Sequence, residues 1–225
     1  MAPTTLPLLD CNGGVGKIRR LGKPARYFNV IRSLLKLTAA LILSAAFCLP
    51  GLANAAGPQK VFLIRGFMNV LSPGIDLLAF ELRQHGVMTE VSNHLSSALT
   101  ASEAIEECKS GKIGSIVLVG HSFGAAAAID VAKRLQEASL QVALMVTMDP
   151  VAASQASGNV RRLENYYLSK GIGSSIKTDA GFHGKLQNVD LSTRPGADHV
   201  VMTTLPDIHK HIIAQIAAAQ GIPCR

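Results

Sequence analysis

Five consecutive residues, Gly120-His121-Ser122-Phe123-Gly124, set a hydroxyl nucleophile between two glycines. A serine hydroxyl is weak at its free pKa and needs an adjacent base, itself oriented by an acid. Ile116-Val117-Leu118-Val119, before the motif, reads as a buried strand. Ala125-Ala126-Ala127-Ala128-Ile129, after it, opens a strong helix former that runs to about Ala138. In a strand, G-x-S-x-G, helix arrangement the turn is tight enough to strain the serine backbone and hold its Oγ above the sheet. Side chains at the flanking positions would strike the strand and the helix, so both are glycine. The competing reading is an ordinary glycine-rich strand-to-helix turn.

The partners follow from position. Asp149 ends the apolar run Val142-Ala143-Leu144-Met145-Val146-Thr147-Met148 and precedes Pro150, which stops a strand. It is the expected acid, with Asp190 and Asp179 as fallbacks. His199 follows the last expected strand and precedes the last helix, which makes it the expected base. His183 is its fallback. His209 and His211 sit within that helix, from which the sheet edge is harder to reach, and His121 is expected to pack inside the turn. An oxyanion would be met by two backbone N–H groups, that of Phe123 and one from Phe67 or Met68 in the loop after the first strand.

These positions need a scaffold, and the chain supplies alternating strands and helices. Val61-Phe62-Leu63-Ile64 reads as a strand covered on both faces. Ser72 is expected to cap a helix that has Pro73 at its first position, carries Ile75, Leu78, Ala79 and Leu82 on one face, and ends at Gly86. Strands are expected over 87–91, 142–146, around 165–167 and over 186–191, and helices from about Thr100 to Lys109 and from Pro206. Ile208, Ile212, Ile213 and Ile216 form one stripe on the last helix. Residues 169–183, rich in Gly and Ser, read as a mobile loop. The alternation predicts an α/β three-layer sandwich with a mostly parallel sheet, whose site lies at the carboxyl ends of the strands.

Leu63-Ile64-Arg65-Gly66-Phe67, the Ser122 turn, Val146-Thr147-Met148-Asp149-Pro150 and the late His199 together resemble an α/β-hydrolase of the lipase/esterase type. The resemblance spans residues 60–220. It implies hydrolysis of small-molecule or lipid esters through an acyl-enzyme on Ser122, without cofactor or metal. Two departures stand out. Arg65-Gly66 replaces a frequent His-Gly, and residues 56–225 leave no room for a cap domain, as in small lidless members such as cutinases. Phe67, Met68, Val70, Leu71 and Phe123 would then give an open site apolar walls. A thioesterase is one alternative, and a non-catalytic envelope binding protein on the same fold is another.

The net charge of +7 sits almost wholly in residues 1–55, with seven basic residues against Asp10 alone. Residues 56–225 hold 15 basic and 14 acidic residues, so no nucleic-acid partner is expected. The N-terminal segment reads as an export signal. Arg32 and Lys36 precede an apolar stretch, 37–49, too short for a comfortable membrane span, and Leu52-Ala53-Asn54-Ala55 offers small residues for cleavage after Ala55. An uncleaved anchor is the other possibility. The lead of 1–29 is long, and a start at Val30 would give a signal of 26 residues. Phe47 before Cys48 argues against lipoprotein processing, and Arg19-Arg20 lies too far from the apolar core for a twin-arginine signal. Gly13-Gly14-Val15-Gly16-Lys17 imitates a phosphate loop, but Cys11 stands where its first glycine belongs and Ile18 where it needs Ser or Thr. The expected product is thus a periplasmic or secreted monomer, residues 56–225, meeting the membrane only through its leader. Cys108 and Cys224 remain in it, and one disulfide between them is permitted.

Overall fold

Successive residues of the first strand, β1 (Gln59–Arg65), point into two different cores, which is why the run is apolar without alternation. Phe62 and Ile64 enter one core and Val61 and Leu63 the other. The same split recurs in β3 (Ser115–His121), with Ile116 and Leu118 on one side and Val117 and Val119 on the other. The computed structural model describes residues 57–67, 72–152 and 155–225. The expected leader, with its expected signal and cleavage site, falls outside them, as do Met68, Val70 and Leu71.

Six strands form one sheet. After β1 and β3 come β2 (Met88–Asn93), β4 (Leu144–Met148), β5 (Arg162–Tyr167) and β6 (Lys185–Asp190). Their order is β2-β1-β3-β4-β5-β6, and every pairing is parallel. On one face lie α2 (Ser97–Ser110) and α3 (Phe123–Glu137), burying Ala101, Ala104, Cys108, Ile129 and Leu135. On the other lie α1 (Pro73–Gln84) and α4 (Pro206–Ala218), burying Ile75, Leu78, Leu82, Ile208, Ile212 and Ile216. Each fully buried Leu or Ile contributes about 1.5–3 kcal/mol. This is the three-layer α/β sandwich that the alternation predicts, with no cap between β4 and α4 among the described residues.

The departures from expectation have local causes. The strand expected over 142–146 begins two residues later, because Val142 makes only an isolated bridge to Val160. The helix expected from Thr100 starts at Ser97, led in by a 3-10 turn, His94–Ser96, whose Leu95 N–H is taken by the Asn93 side chain at 2.9 Å. Ser72 makes no side-chain cap on α1, because its hydroxyl is engaged elsewhere.

The Gly- and Ser-rich loop expected to be mobile is held down by a polar row across the sheet. Thr147, Asn165 and Asn188 occupy one register on β4, β5 and β6. Thr147 donates to Asn165 Oδ1 and Asn165 Nδ2 donates to Asn188 Oδ1, each at 2.8 Å. Asn165 Nδ2 also donates to the Ser174 carbonyl, and Asn188 exchanges two bonds with the backbone of Ile176. Each such bond contributes about 1 kcal/mol net, and leaving its buried partner unpaired costs more.

Cys108, near the end of α2, is joined to Cys224 by a disulfide with Cα atoms 6.4 Å apart. The Cys224 N–H also donates to the Gly114 carbonyl just before β3. Closing a loop of 116 residues stabilises by about 2–5 kcal/mol, mainly by restricting the unfolded chain. The Cys108→Ala/Cys224→Ala double variant should therefore lose about that much in urea unfolding, with no change in the activity of the folded fraction.

Candidate active site

Three elements end at one edge of the sheet and deliver three side chains to one point. At the end of β3 the chain reverses through Ser122, whose φ of 58° and ψ of −125° lie where a side chain is strained. The reversal depends on its glycines. A Cβ on Gly120 would lie 2.3 Å from the Gly124 carbonyl oxygen, and one on Gly124 would lie 2.2 Å from that of Ile64. The Ser122 N–H is fixed by the Met148 carbonyl at 2.9 Å, which ties the turn to the neighbouring β4.

Asp149 comes directly after β4, also at positive φ (43°), and is fully buried. A buried carboxylate must have its lone pairs satisfied. Its Oδ1 accepts the Leu168 N–H at 2.9 Å and its Oδ2 faces His199 Nδ1 at 2.6 Å. His199 comes from the loop between β6 and α4, and its Nε2 stands 3.0 Å from Ser122 Oγ. With a neutral ring, Nδ1–H donates to Asp149, which leaves Nε2 to accept from the serine hydroxyl. The preceding Asp198 anchors the loop, since its Oδ1 accepts the N–H groups of Val200 and Val201 at 2.8 and 2.7 Å. Those donors, Val201 first, hold the Asp198 carboxyl below its usual range.

The fallback residues stand elsewhere. Asp190 accepts the N–H groups of Ser169 and Ser192, and the hydroxyls of these two serines first, then their N–H groups, hold its carboxyl below the usual range; Asp179 accepts the N–H of Gly181. Both are turn carboxylates. His183 is exposed in the loop before β6. His209 joins Glu81 on α1 to the Thr203 carbonyl, and His211 faces the buried Glu164. His121 is buried against His199, with ring centroids 4.7 Å apart. The Phe123 N–H, at the first position of α3, has no carbonyl one turn back to bond. Phe67 lies in the turn after β1, while Met68 lies outside the described residues. Arg65, standing where a histidine is frequent, turns away to pair with Asp76 on α1 at 2.9 Å.

Two surfaces flank the serine. Beside His199 is a cavity of about 350 Å³ lined by Leu168, Lys170, Gly171, Ile172 and Ala197. On the other side Phe67, His94 and Phe123 form a triangle with centroids 5.8–6.3 Å apart, and both phenylalanines are substantially exposed. Of the expected apolar walls, Phe67 and Phe123 stand there. Sequence reasoning missed Ile172, the Leu168 N–H and Gly173.

A tight turn at Ser122 and a buried Asp149 on adjacent parallel strands thus meet His199 at one edge of the sheet. The family model for the thioesterase domain matches residues 56–167, which take in Ser122 and Asp149 and stop before His199. Among solved structures the chain is similar to a Xanthomonas campestris protein described as a hydrolase of the α/β superfamily, at 15% identity. The match covers 71% of this chain and 96% of that one, with a TM-score of 0.42. A protein of unknown function from Agrobacterium tumefaciens is similar at 15% identity, over 71% of this chain and 92% of that one, with a TM-score of 0.43. A cutinase-like protein from Cryptococcus sp. is similar at 14% identity, over 73% and 95%, with a TM-score of 0.42. No curated protein sequence matches the chain.

Gly173 provides a test of the acid. A Cβ there would lie 2.1 Å from Asp149 Oδ1, so the loop seals the carboxylate only because that residue is glycine. Gly173→Ala should push Asp149 off His199 and lower kcat about 100-fold, the cost of roughly 1 Å of misplacement. Rates and a thermal melt on the same sample separate that loss from unfolding.

Proposed function

We propose that the chain is a serine hydrolase that cleaves carboxylic esters, with Ser122 as nucleophile, His199 as base and Asp149 as the orienting acid. The observation that carries this reading is the unbroken chain from Ser122 Oγ through His199 to a fully buried Asp149. Ser122 Oγ attacks the acyl carbon while His199 Nε2 takes its proton, and Asp149 stabilises the imidazolium through Nδ1–H. The oxyanion is received by the N–H groups of Phe123 and Phe67, Met68 being the alternative donor. His199 returns its proton to the departing alcohol oxygen, and the acyl group stays on Ser122. Water, deprotonated by His199, then attacks the acyl-enzyme and releases the acid and the free serine.

A thioester is a second substrate, favoured by the thioesterase-domain match over residues 56–167. The chemistry differs only in that the leaving group is a thiol. The apolar cavity beside His199 and the exposed Phe67 and Phe123 suit an acyl chain on either substrate. An exported product fits the apolar segment at 37–49, and the Cys108–Cys224 disulfide is the kind of bond an oxidising compartment maintains.

Ser122→Ala should lower kcat on p-nitrophenyl butyrate by about 10⁴–10⁶ and abolish fluorophosphonate labelling, with the fold retained. His199→Ala should lose most of the rate and His183→Ala little. Equal activity of Ser122→Ala and the wild type would reject the reading. Butyryl thioesters assayed alongside the oxygen ester decide which leaving group is preferred.

A further inference from the structure

A second hydrogen-bonded chain lies behind the first, and its direction can be worked out atom by atom. The His199 carbonyl can only accept, so His121 Nε2, 2.8 Å away, carries a hydrogen and donates to it. On the other side of the ring Nδ1 lies 2.7 Å from Ser72 Oγ, which itself accepts the Gly66 N–H at 2.9 Å. With the ring neutral, Nδ1 accepts the Ser72 hydroxyl hydrogen. Every polar atom in the series Gly66 N–H, Ser72 Oγ, His121 and His199 carbonyl is then satisfied.

Burial favours the neutral form. His121 is wholly shielded from solvent and Ser72 equally so. Desolvation lowers the His121 pKa to about 4. The His199 carbonyl and the Asp149 carboxylate oppose that shift, and the His199 imidazole adds to it. At neutral pH the ring is therefore uncharged, a donor at one nitrogen and an acceptor at the other.

The ends of this series fix its meaning. Gly66 adjoins Phe67, whose N–H is one of the proposed oxyanion donors, and Ser72 closes the same loop onto α1. At the far end the bond is to the backbone of the residue that carries the base. The His121 ring also packs on the His199 ring. The oxyanion loop, the nucleophile turn and the base loop thus meet at a residue that adjoins Ser122 in the chain and whose hydrogen bonds go to Ser72 and to the His199 backbone.

We propose that His121 is a positioning residue, which sets the base loop and the oxyanion loop in register with Ser122 by donating to the His199 carbonyl and accepting from Ser72. The proposal rests on the reading of Ser122, His199 and Asp149 as the catalytic set. It assigns specific work to each nitrogen, and those functions can be separated. Glutamine can place a donor near the Nε2 position, asparagine an acceptor near the Nδ1 position, and phenylalanine retains the ring while making neither bond.

The test measures kcat and KM on p-nitrophenyl butyrate, the rate of fluorophosphonate labelling, and thermal melting for His121→Phe, His121→Gln, Ser72→Ala and the double variant His121→Phe/Ser72→Ala. His121→Phe should lower kcat and the labelling rate together by about 10–100-fold, as a displacement approaching 1 Å would, with KM within about twofold. His121→Gln should recover most of that loss. Ser72→Ala should cost less than His121→Phe and add little to it in the double variant, since both break one series. Wild-type kcat and labelling in His121→Phe, or no recovery in His121→Gln, would overturn the proposal. If His121→Phe does not fold, additive losses for Ser72→Ala and His121→Gln when combined would do so. Ser122→Ala assayed in parallel separates the two levels, because its activity would remove the catalytic reading itself.

Discussion

The close approach of α3 to the carboxyl ends of β1 and β3 is the constraint on which the rest of the site depends. Two carbonyl groups, those of Gly124 and Ile64, come so near the Gly120 and Gly124 backbones that no Cβ fits at either position. That contact leaves no room for a relaxed turn between strand and helix. Ser122 takes up the difference by adopting a positive φ, and its hydroxyl is thereby lifted toward the sheet edge. The strain is sustained by the two cores on either face of the sheet and by the bond from the Ser122 N–H to β4.

Asp149 presents the complementary problem. A carboxylate taken wholly out of water costs several kcal/mol unless its oxygens are bonded. The chain meets that cost with the Leu168 N–H on one oxygen and His199 on the other, and it closes the remaining side with the backbone of Gly173. The loop that carries Gly173 has no regular structure of its own. It stays in place because Asn165 and Asn188 bind its carbonyl and N–H groups from below. A polar row on β4, β5 and β6 thus keeps Asp149 dry.

Ser122 and Asp149 stand out in the sequence because each follows an apolar run, and His199 because it lies between the last strand and the last helix; parallel strands bring all three to one edge. The layer order could be read for the same reason, since the helix faces at Ile75, Leu78 and Leu82 and at Ile208, Ile212 and Ile216 have helical spacing. Ser72 holds the expected N-cap position but makes no side-chain cap, because the residues that claim its hydroxyl, Gly66 and His121, cannot be told from local pattern. His121 was expected only to pack, since its bonds join residues 49 and 78 positions away. Gly173 is one glycine in a loop with several. Nothing in its neighbours indicates that it alone lies against a carboxylate. The expectation of an oxyanion loop at Phe67 or Met68 rests on topology alone, because its donors would be backbone groups indifferent to side-chain type.

The disulfide sits at the other end of the molecule. Cys224 bonds to Gly114 just before β3 begins, whereas Ser122 follows its last residue. A strand of seven residues puts about 20 Å between them. At that distance a staple that limits the unfolded chain has no lever on the geometry of the serine. The thiol–disulfide balance of the surroundings therefore bears on how often the chain unfolds. It leaves the arrangement of Ser122, His199 and Asp149 alone.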